Sequence, residues 1–527
     1  MSQTKKQKEN ILILDGNNLT PEAVHAVAHN QEISVAPSPD AMKRVRESNA
    51  FLKGEVGKKV IYGITTGFGP MASHIIGKNQ LVELQYNLIR SHAVGAGDPI
   101  PQAFVVAAMV DRANTFLKGY SGVSEGVIEQ IIGFINHRII PIVPEHGAVG
   151  TSGDLVQLAH IALALIGEGE VFYKGVRMSS SVALKKVKMK ALKLGPKEGL
   201  ALINGTSVMT GIAALLIVEA RHLVDLATRS GAIALELVNG LNDAFSDMLH
   251  SVRPHKGQRE IAKRLRELLK DSELMTDRKM LQSKVNVIDN VYVTPESIQE
   301  VYSFRCIPQI LGPILDISEK VYGEVSVELN SVTDNPIIDL KEKIFLHGGN
   351  FHGDYIATAV DQMKIGIVKM TILSERRVNF FLNRNVNQTF PPFLNLAQPG
   401  LTLALQGLQF VATSTTAQSQ SLAYPHSLHS ISTNADNQDV VSMGTDAALL
   451  AYKTIENAYI VLAIELITLA QAVDLIHAAE KLSPESKELY KFIRSHFAVV
   501  QEDRSFTTEL NVLKEKIQKG KGFEASK

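Results

Sequence analysis

The sequence predicts a mostly α-helical protein, an extended helical bundle preceded by a loop-rich mixed N-terminal domain. The chain has 527 residues, 45% of them hydrophobic, which is enough for a large buried interior. Residues 12–203 alternate short apolar segments with loops rich in Gly, Thr, Ser and Pro. From residue 204 to 527, long segments repeat apolar residues at the spacing of an α-helix. We therefore expect two domains that meet near residue 204.

The first eleven residues are polar and lack the apolar core of a signal peptide. We expect residues 1–11 to form a flexible tail. In the following domain, 12–203, glycine-rich segments such as Ile-Tyr-Gly-Ile-Thr-Thr-Gly-Phe-Gly-Pro at 61–70 indicate tight loops between short elements.

Six helical segments are predicted in the second domain, and several exceed the usual 8–20 residues of a globular helix. They are expected at 208–245, 255–271, 295–325, 352–384, 400–422 and 444–481. Helices of this length favour a bundle with antiparallel neighbours. The most apolar stretch, 459–476, contains Glu465 and Asp474, so we expect a buried helix there rather than a membrane span.

Charge and cysteine content exclude several functional classes. Lys and Arg total 54, as do Asp and Glu, which gives no basis for a nucleic-acid or anionic-membrane partner. The one lysine-rich run, 185–197, is expected to be a solvated loop. The single cysteine, Cys306, excludes an internal disulfide framework and a multi-thiolate metal site, and it fits the reducing cytoplasm.

The triplet Thr151-Ser152-Gly153 can form an electrophile from its own atoms. The nitrogen of Gly153 can attack the carbonyl of Thr151 and close a five-membered ring, and glycine allows the approach because it has no Cβ. Loss of water from the ring and from Ser152 leaves a 4-methylidene-imidazole-5-one. The same residues precede the apolar run 155–165, so Thr151 or Ser152 could instead be an ordinary helix cap, with Asp154 in the first turn.

Further segments carry more reactive side chains than a helical scaffold requires. These side chains are Tyr62, His92, Asn204, Phe351, Gln418 and the trio Tyr302, Arg305 and Gln309. Spacings of three and four residues put the trio on one helical face, where it could clamp an anion, if one helix runs through Pro308. Tyr62 could equally be a turn residue, and Asn204 could be a helix cap.

From residue 55 to 445, the order and spacing of these motifs resemble the aromatic amino acid lyase family, which comprises histidine, phenylalanine and tyrosine ammonia-lyases and related aminomutases. Within the family the chain is most similar to bacterial tyrosine ammonia-lyases. Four segments carry this similarity: 87–92, 149–158, 199–211 and 436–444. The resemblance implies a mostly helical homotetramer in which each active site is built from three chains.

The resemblance also implies an activity and roles for individual residues. The activity is elimination of ammonia from an aromatic L-amino acid, with conversion of L-tyrosine to p-coumarate as the first choice. The cofactor would be the methylidene-imidazolone formed from Thr151, Ser152 and Gly153, without a metal. Tyr62 would remove the β-proton and Tyr302 would lie beside the cofactor. The substrate would be bound by His92, Asn204, Gln299, Arg305, Gln309, Phe351 and Gln418.

Two positions depart from the family pattern. Thr151 stands where the family usually has Ala, and its branched Cβ would crowd ring closure. Gln418 stands where a histidine ammonia-lyase is expected to carry Glu, which weakens the case for a histidine substrate. Histidine ammonia-lyase giving urocanate and an aromatic 2,3-aminomutase nevertheless remain as alternatives.

Readings outside this family have weaker support. A metal-dependent hydrolase could use His347, His352, Asp354 or the pair His426 and His429, but none of these matches an established ligand pattern. A non-catalytic helical assembly protein would not need the reactive side chains named above. The sequence lacks the Gly-Ser-Ser-x-x-Met-Pro loop of fumarase-like lyases. It also lacks a phosphate-binding Gly-Lys-Ser or Gly-Lys-Thr after residues 67–69.

Overall fold

Helices dominate the computed structural model, which describes residues 10–280, 286–289, 291–293 and 299–520. The described residues form the α-helices α1 (Pro21–His29), α2 (Pro39–Glu55), α3 (Leu81–His92), α4 (Gln102–Leu117), α5 (Glu125–His137), α6 (Leu155–Leu165), α7 (Ser180–Lys186), α8 (Glu198–Ile203), α9 (Ser207–Leu237), α10 (Asp247–Ser251), α11 (Lys256–Leu268), α12 (Tyr302–Arg305), α13 (Ile307–Glu328), α14 (Asp354–Leu382), α15 (Arg384–Asn387), α16 (Gln406–Leu422), α17 (Gly444–Leu475), α18 (Pro484–His496) and α19 (Thr507–Gln518). The prediction of a mostly α-helical protein is confirmed.

Within the part of the chain that the structure describes, short strands form five small sheets. The strands are β1 (Ile11–Leu14), β2 (Ser34–Pro37), β3 (Ala96–Pro99), β4 (Ile139–Pro141), β5 (Pro144–His146), β6 (Glu170–Tyr173), β7 (Val176–Ser179), β8 (Asn286–Ile288), β9 (Val291–Val293), β10 (Ile337–Asp339) and β11 (Ile344–Leu346). Strands β1 and β2 pair in parallel, whereas the antiparallel sheets are β3-β5, β4-β6-β7, β8-β9 and β10-β11. Residues 1–9 of the predicted tail lie outside the described residues, and Ile11 begins β1.

The residues group into two units. The first unit comprises Met1–Val218, Val321–Gln362 and Pro425–Ala451, and the second comprises Glu219–Lys320, Met363–Tyr424 and Tyr452–Lys527. Helix α4 lies deep in the first unit, where every residue from Phe104 to Leu117 is buried. The predicted domain boundary at residue 204 stays a prediction.

The helical spacing of apolar residues in the sequence predicted the long helices, with one error. The predicted helix over 295–325 is interrupted, because α12 ends at Arg305 and α13 begins at Ile307. Pro308 is the second residue of α13, a position that tolerates proline because the first N–H groups of a helix need no intrahelical acceptor. Tyr302 and Gln309 therefore belong to two helices, and the prediction of one continuous helix is wrong.

Among the helices of the described residues, two, α9 and α17, are long and apolar enough to cross a membrane. Their most apolar windows are 78% and 83% buried within the protein, and buried core helices have the same composition. Inside α17, the carboxylate of Glu465 accepts a hydrogen bond from Arg377 Nε at 2.5 Å, and both side chains are almost fully buried. The expected buried helix over 459–476 agrees with this environment.

We expect Glu465→Ala to lower the free energy of unfolding by about 3–5 kcal/mol, because it leaves the Arg377 guanidinium buried without its counter-ion. Urea unfolding of the purified variant measures this loss. The control is Glu480→Ala, which removes an exposed partner of Lys487 and should cost less than about 1 kcal/mol. Equal losses for the two variants would contradict the expectation.

Candidate active site

A cavity of about 1090 Å³ in the first unit brings together half of the predicted site. The predicted residues that line it are Tyr62, His92, Thr151, Ser152, Asn204 and Phe351. They come from segments separated by up to about three hundred residues of chain, so their meeting in one cavity is a product of the fold rather than of local sequence.

The triplet lies in a tight reversal of the backbone. Gly150 and Gly153 pair across the turn as an antiparallel bridge, so the chain doubles back at Thr151 and Ser152. Gly150, Ser152 and Gly153 have φ angles of 81°, 54° and 73°, in the left-handed region that favours glycine. The residues whose atoms would form the ring therefore lie within this turn.

Close packing against Gly205 fixes this turn. A Cβ added to Gly153 would lie 1.9 Å from the carbonyl oxygen of Gly205, so no larger residue fits. The N–H of Gly205 donates to the carbonyl of Ser152 at 3.0 Å, and the N–H of Asp154 donates to the carbonyl of Gly205 at 2.8 Å. Two hydrogen bonds and one steric contact thus hold the triplet in place.

Asp154 anchors the turn to a second helix. Its buried carboxylate accepts hydrogen bonds from the N–H of Val208 at 2.5 Å and from Thr445 Oγ1 at 2.6 Å, so it caps the N-terminus of α9. Burial raises the pKa of Asp154 to about 7, against the lowering effect of these hydrogen bonds. Helix α6 receives no side-chain cap, so the interpretation of Thr151 or Ser152 as its cap is wrong.

This geometry fits a methylidene-imidazolone built from Thr151, Ser152 and Gly153. The attacking nitrogen belongs to a residue that has no Cβ and no space for one. The chain is already reversed between the two ring-forming residues. Ser152, the residue that would lose its hydroxyl, lines the cavity that a substrate would enter.

The Tyr62 phenol is fixed at the cavity wall. Its oxygen accepts a hydrogen bond from the N–H of Gly69 at 3.0 Å, and its ring meets Phe68 edge to face at 6.2 Å between centroids. Both contacts come from the same glycine-rich loop. Tyr62 thus lies in a turn of this loop and lines the cavity, and its catalytic role stays a prediction.

The protonation pattern of His92 follows from its hydrogen bonds. His92 Nδ1 lies 2.8 Å from the carbonyl oxygen of Leu88, which can only accept, and 3.0 Å from Ser91 Oγ, which can donate or accept. The tautomer that donates to the Leu88 carbonyl carries its proton on Nδ1. In the neutral ring Nε2 is then an acceptor. His92 lines the cavity and therefore suits a substrate with a hydrogen-bond donor on its ring.

Asn204 ends α8 and lies almost fully buried. Its Nδ2 donates to the carbonyl oxygen of Asn335 at 3.0 Å and to Asp334 Oδ1 at 3.3 Å. Its own carbonyl accepts a hydrogen bond from Arg112 Nη2 at 2.6 Å. Hydrogen bonds thus hold both the side chain and the backbone carbonyl of Asn204, which is the C-cap residue of α8.

A network of buried charged residues contacts Asn204. The sequence analysis did not predict this network. Lys197 Nζ lies 2.5 Å from Asp334 Oδ2, and both side chains are completely buried. Burial lowers the pKa of Lys197 and of Arg112, while the charge of Asp334 opposes the shift in each case. The prediction that residues 185–197 form a solvated loop is wrong for Lys197. Arg112 could have been noticed, because Asp111-Arg112 follows the apolar run 103–110 within α4.

Gly153 lies in the triplet turn of the first unit, and the remaining predicted site residues belong to the second unit and are not among those that line this cavity. Arg305 Nε donates to the carbonyl of Glu300 at 2.9 Å, and the guanidinium lies over the Tyr302 ring, 4.7 Å from its centroid. Gln309 Oε1 is buried without a hydrogen-bond partner among the described residues. Gln418 Oε1 accepts a hydrogen bond from Asn457 Nδ2 at 2.9 Å, and Gln299 is exposed. Their roles stay predictions.

Comparison with known proteins gives consistent results. The family model described as aromatic amino acid lyase matches residues 19–495. The histidine ammonia-lyase of Bacillus subtilis (strain 168) is 39% identical over 510 residues, which cover 97% of each chain. Tyrosine aminomutase from Streptomyces globisporus is 34% identical, with a TM-score of 0.92 over 97% of each chain. Histidine ammonia-lyase from Trypanosoma cruzi is 32% identical, with a TM-score of 0.86 over 97% of this chain and 94% of that one.

Proposed function

We propose that this chain, which belongs to the aromatic amino acid lyase family, converts L-histidine to urocanate and ammonia. The chain is a carbon–nitrogen lyase. The observation that carries the choice of substrate is identity of 39% over 97% of the chain with proteins named histidine ammonia-lyase. The first choice made from the sequence, L-tyrosine, has no support among these relatives.

The proposed cofactor is the 4-methylidene-imidazole-5-one made from Thr151, Ser152 and Gly153. This ring supplies an electrophilic methylene that makes the substrate amine a better leaving group. The reversed backbone, the missing Cβ of Gly153 and the exposure of Ser152 to the cavity support the assignment. No metal is proposed.

Tyr62 is the proposed base that removes the β-proton of the substrate. Its oxygen is fixed by the N–H of Gly69, so the phenol enters the reaction already positioned. Tyr302 is proposed as the second catalytic residue.

The substrate-binding residues divide between the two units. His92, Asn204 and Phe351 line the cavity of the first unit. The other proposed substrate-binding residues are Gln299, Arg305, Gln309 and Gln418. We infer a homotetramer with shared active sites, in which neighbouring copies complete each site with such residues. The partners are then the amino acid and other copies of the chain, in the cytoplasm.

His92 supports an imidazole substrate. A neutral histidine ring carries one N–H donor, which can bond to the acceptor Nε2 of His92. A phenol hydroxyl can make the same bond, so His92 alone does not separate histidine from tyrosine.

L-Tyrosine is the second candidate, because of Gln418. A glutamine offers no negative charge to an imidazole, and the Oε1 of Gln418 is already bonded to Asn457. An aminomutase that returns ammonia to the β-carbon would use the same residues.

We expect a substrate panel of L-histidine, L-tyrosine and L-phenylalanine to give urocanate as the fastest product. Absorbance of the three arylacrylates measures the lyase rates, and chromatography of the amino acids detects any β-isomer. Faster formation of p-coumarate would overturn the choice of histidine in favour of tyrosine. A β-amino acid as the main product would show an aminomutase.

A further inference from the structure

The peptide group between Asn204 and Gly205 joins the cofactor-forming triplet to a buried arginine. On one side, the N–H of Gly205 donates to the carbonyl oxygen of Ser152 at 3.0 Å. On the other side, the carbonyl oxygen of Asn204 accepts a hydrogen bond from Arg112 Nη2 at 2.6 Å. This carbonyl and the N–H of Gly205 belong to one planar peptide group. Two hydrogen bonds through a single peptide therefore connect Arg112 to the Ser152 carbonyl.

Arg112 is held firmly behind the triplet. It is 2% exposed and is not among the residues that line the cavity. Its Nη2 also donates to the carbonyl of Ala201, its Nη1 donates to Thr333 Oγ1 at 3.4 Å, and its Cζ lies 4.6 Å from the Phe116 ring centroid. A Cβ added to Gly205 would collide with Nη1, so the guanidinium packs directly against that residue.

The positive charge of Arg112 acts on neutral oxygens. Its three acceptors are two backbone carbonyls and one hydroxyl, and an arginine side chain stays protonated in proteins. A charged donor makes a hydrogen bond about twice as strong as a neutral donor does. Hydrogen bonds in a chain polarise one another, so the bond to Asn204 makes the N–H of Gly205 a stronger donor. The Ser152 oxygen is thus influenced by a charge that it does not touch.

Ring formation places negative charge on this oxygen at two stages. The nitrogen of Gly153 and the carbonyl of Ser152 form one amide, so loss of the Gly153 N–H proton delocalises charge onto the oxygen. Loss of the Cα proton of Ser152, as its hydroxyl departs, does the same. One water carries away the Thr151 oxygen with the N–H protons of Gly153 and Ser152, and the other carries away the Ser152 hydroxyl with its Cα proton. No further reactant is needed.

We propose that Arg112 is a positioning residue for cofactor formation, which acts through the peptide between Asn204 and Gly205 to stabilise negative charge on the Ser152 carbonyl oxygen. This inference rests on the proposed cofactor. Because Arg112 lies outside the cavity lining, it acts on the triplet and not on the amino acid substrate.

The test is Arg112→Met, which keeps an extended apolar side chain and removes the charge and the donors. The protein is made by cell-free synthesis, and intact mass after translation is stopped measures how fast the chain loses its two waters. We expect this rate to fall about 10- to 100-fold, as for loss of a hydrogen bond from a charged group. Circular dichroism and thermal unfolding establish that the variant is folded.

Arg112→Lys is the second variant. It keeps the charge, but one ammonium group cannot reproduce the planar fork that reaches Ala201, Asn204 and Thr333 together. We expect it to lose water more slowly than the wild type and faster than Arg112→Met. If Arg112→Met does not fold, Arg112→Lys decides the question alone, and loss of water at the wild-type rate would then overturn the inference.

The matched control is Arg138→Met. Arg138 lies in the same unit and also donates to two backbone carbonyls, those of Val27 at 2.8 Å and Asn30 at 2.6 Å. Neither carbonyl belongs to the peptide that contacts Ser152, so this variant should lose its waters at the wild-type rate. Equal slowing in Arg138→Met and Arg112→Met would show a general effect of losing a buried guanidinium and would overturn the inference.

The inference and the proposed cofactor fail in different ways. A wild-type protein that keeps both waters would overturn the cofactor and, with it, the role of Arg112. A wild type that loses both waters, together with a folded Arg112→Met that loses them equally fast, would overturn the role of Arg112 alone.

Discussion

Ser152→Ala is expected to lower kcat by about 10³-fold or more, the scale of loss seen when a group that bonds covalently to the substrate is removed. Alanine has no hydroxyl to lose, so the exocyclic methylene cannot form. The left-handed φ of 54° at this position also disfavours alanine, although less than a larger side chain. Rates are measured with the best substrate of the panel.

Intact mass separates loss of chemistry from loss of fold in this variant. The wild type should weigh two waters less than its sequence, and Ser152→Ala should regain at least one of them. Ser181→Ala, at an exposed serine outside the cavity lining, should keep both the mass deficit and the activity. Turnover by Ser152→Ala at the wild-type rate would contradict a role for the residue.

Tyr62→Phe is expected to lower kcat by about 10²- to 10⁴-fold, the usual contribution of a positioned general base. The ring contact with Phe68 is retained, and loss of the hydrogen bond from Gly69 costs only about 1 kcal/mol. Initial rates at saturating substrate and the intact mass are both measured.

Tyr120→Phe is the matched control, since Tyr120 is 45% exposed and does not line the cavity. It should retain full activity. Because Tyr62→Phe should retain the mass deficit of two waters, a variant without that deficit would mean that Tyr62 acts in ring formation. Unchanged kcat would remove it as the base.

The sequence located the long helices because their apolar residues repeat at helical spacing over many turns. The helix prediction failed where a single residue determines the backbone conformation. Pro308 lies in the first turn of α13 and separates Tyr302 from Gln309, which periodicity alone does not reveal.

Contacts between segments that are far apart in the sequence could not be predicted from the sequence. Asp154 precedes α6 but caps α9, and Lys197 ends a lysine-rich run but is buried against Asp334. Neither contact is indicated by the sequence around either residue. The sequence predicted the cavity residues Tyr62 and His92 because both lie in motifs whose order resembles that of a known family. Helical spacing alone would not have identified them.

The central claim is that Thr151, Ser152 and Gly153 cyclise and lose water. Tandem mass spectrometry of the peptide that contains these residues, taken from active protein, tests it most directly. The account predicts a deficit of two waters that fragmentation confines to the three residues. An unmodified peptide at full occupancy in protein that eliminates ammonia would contradict it.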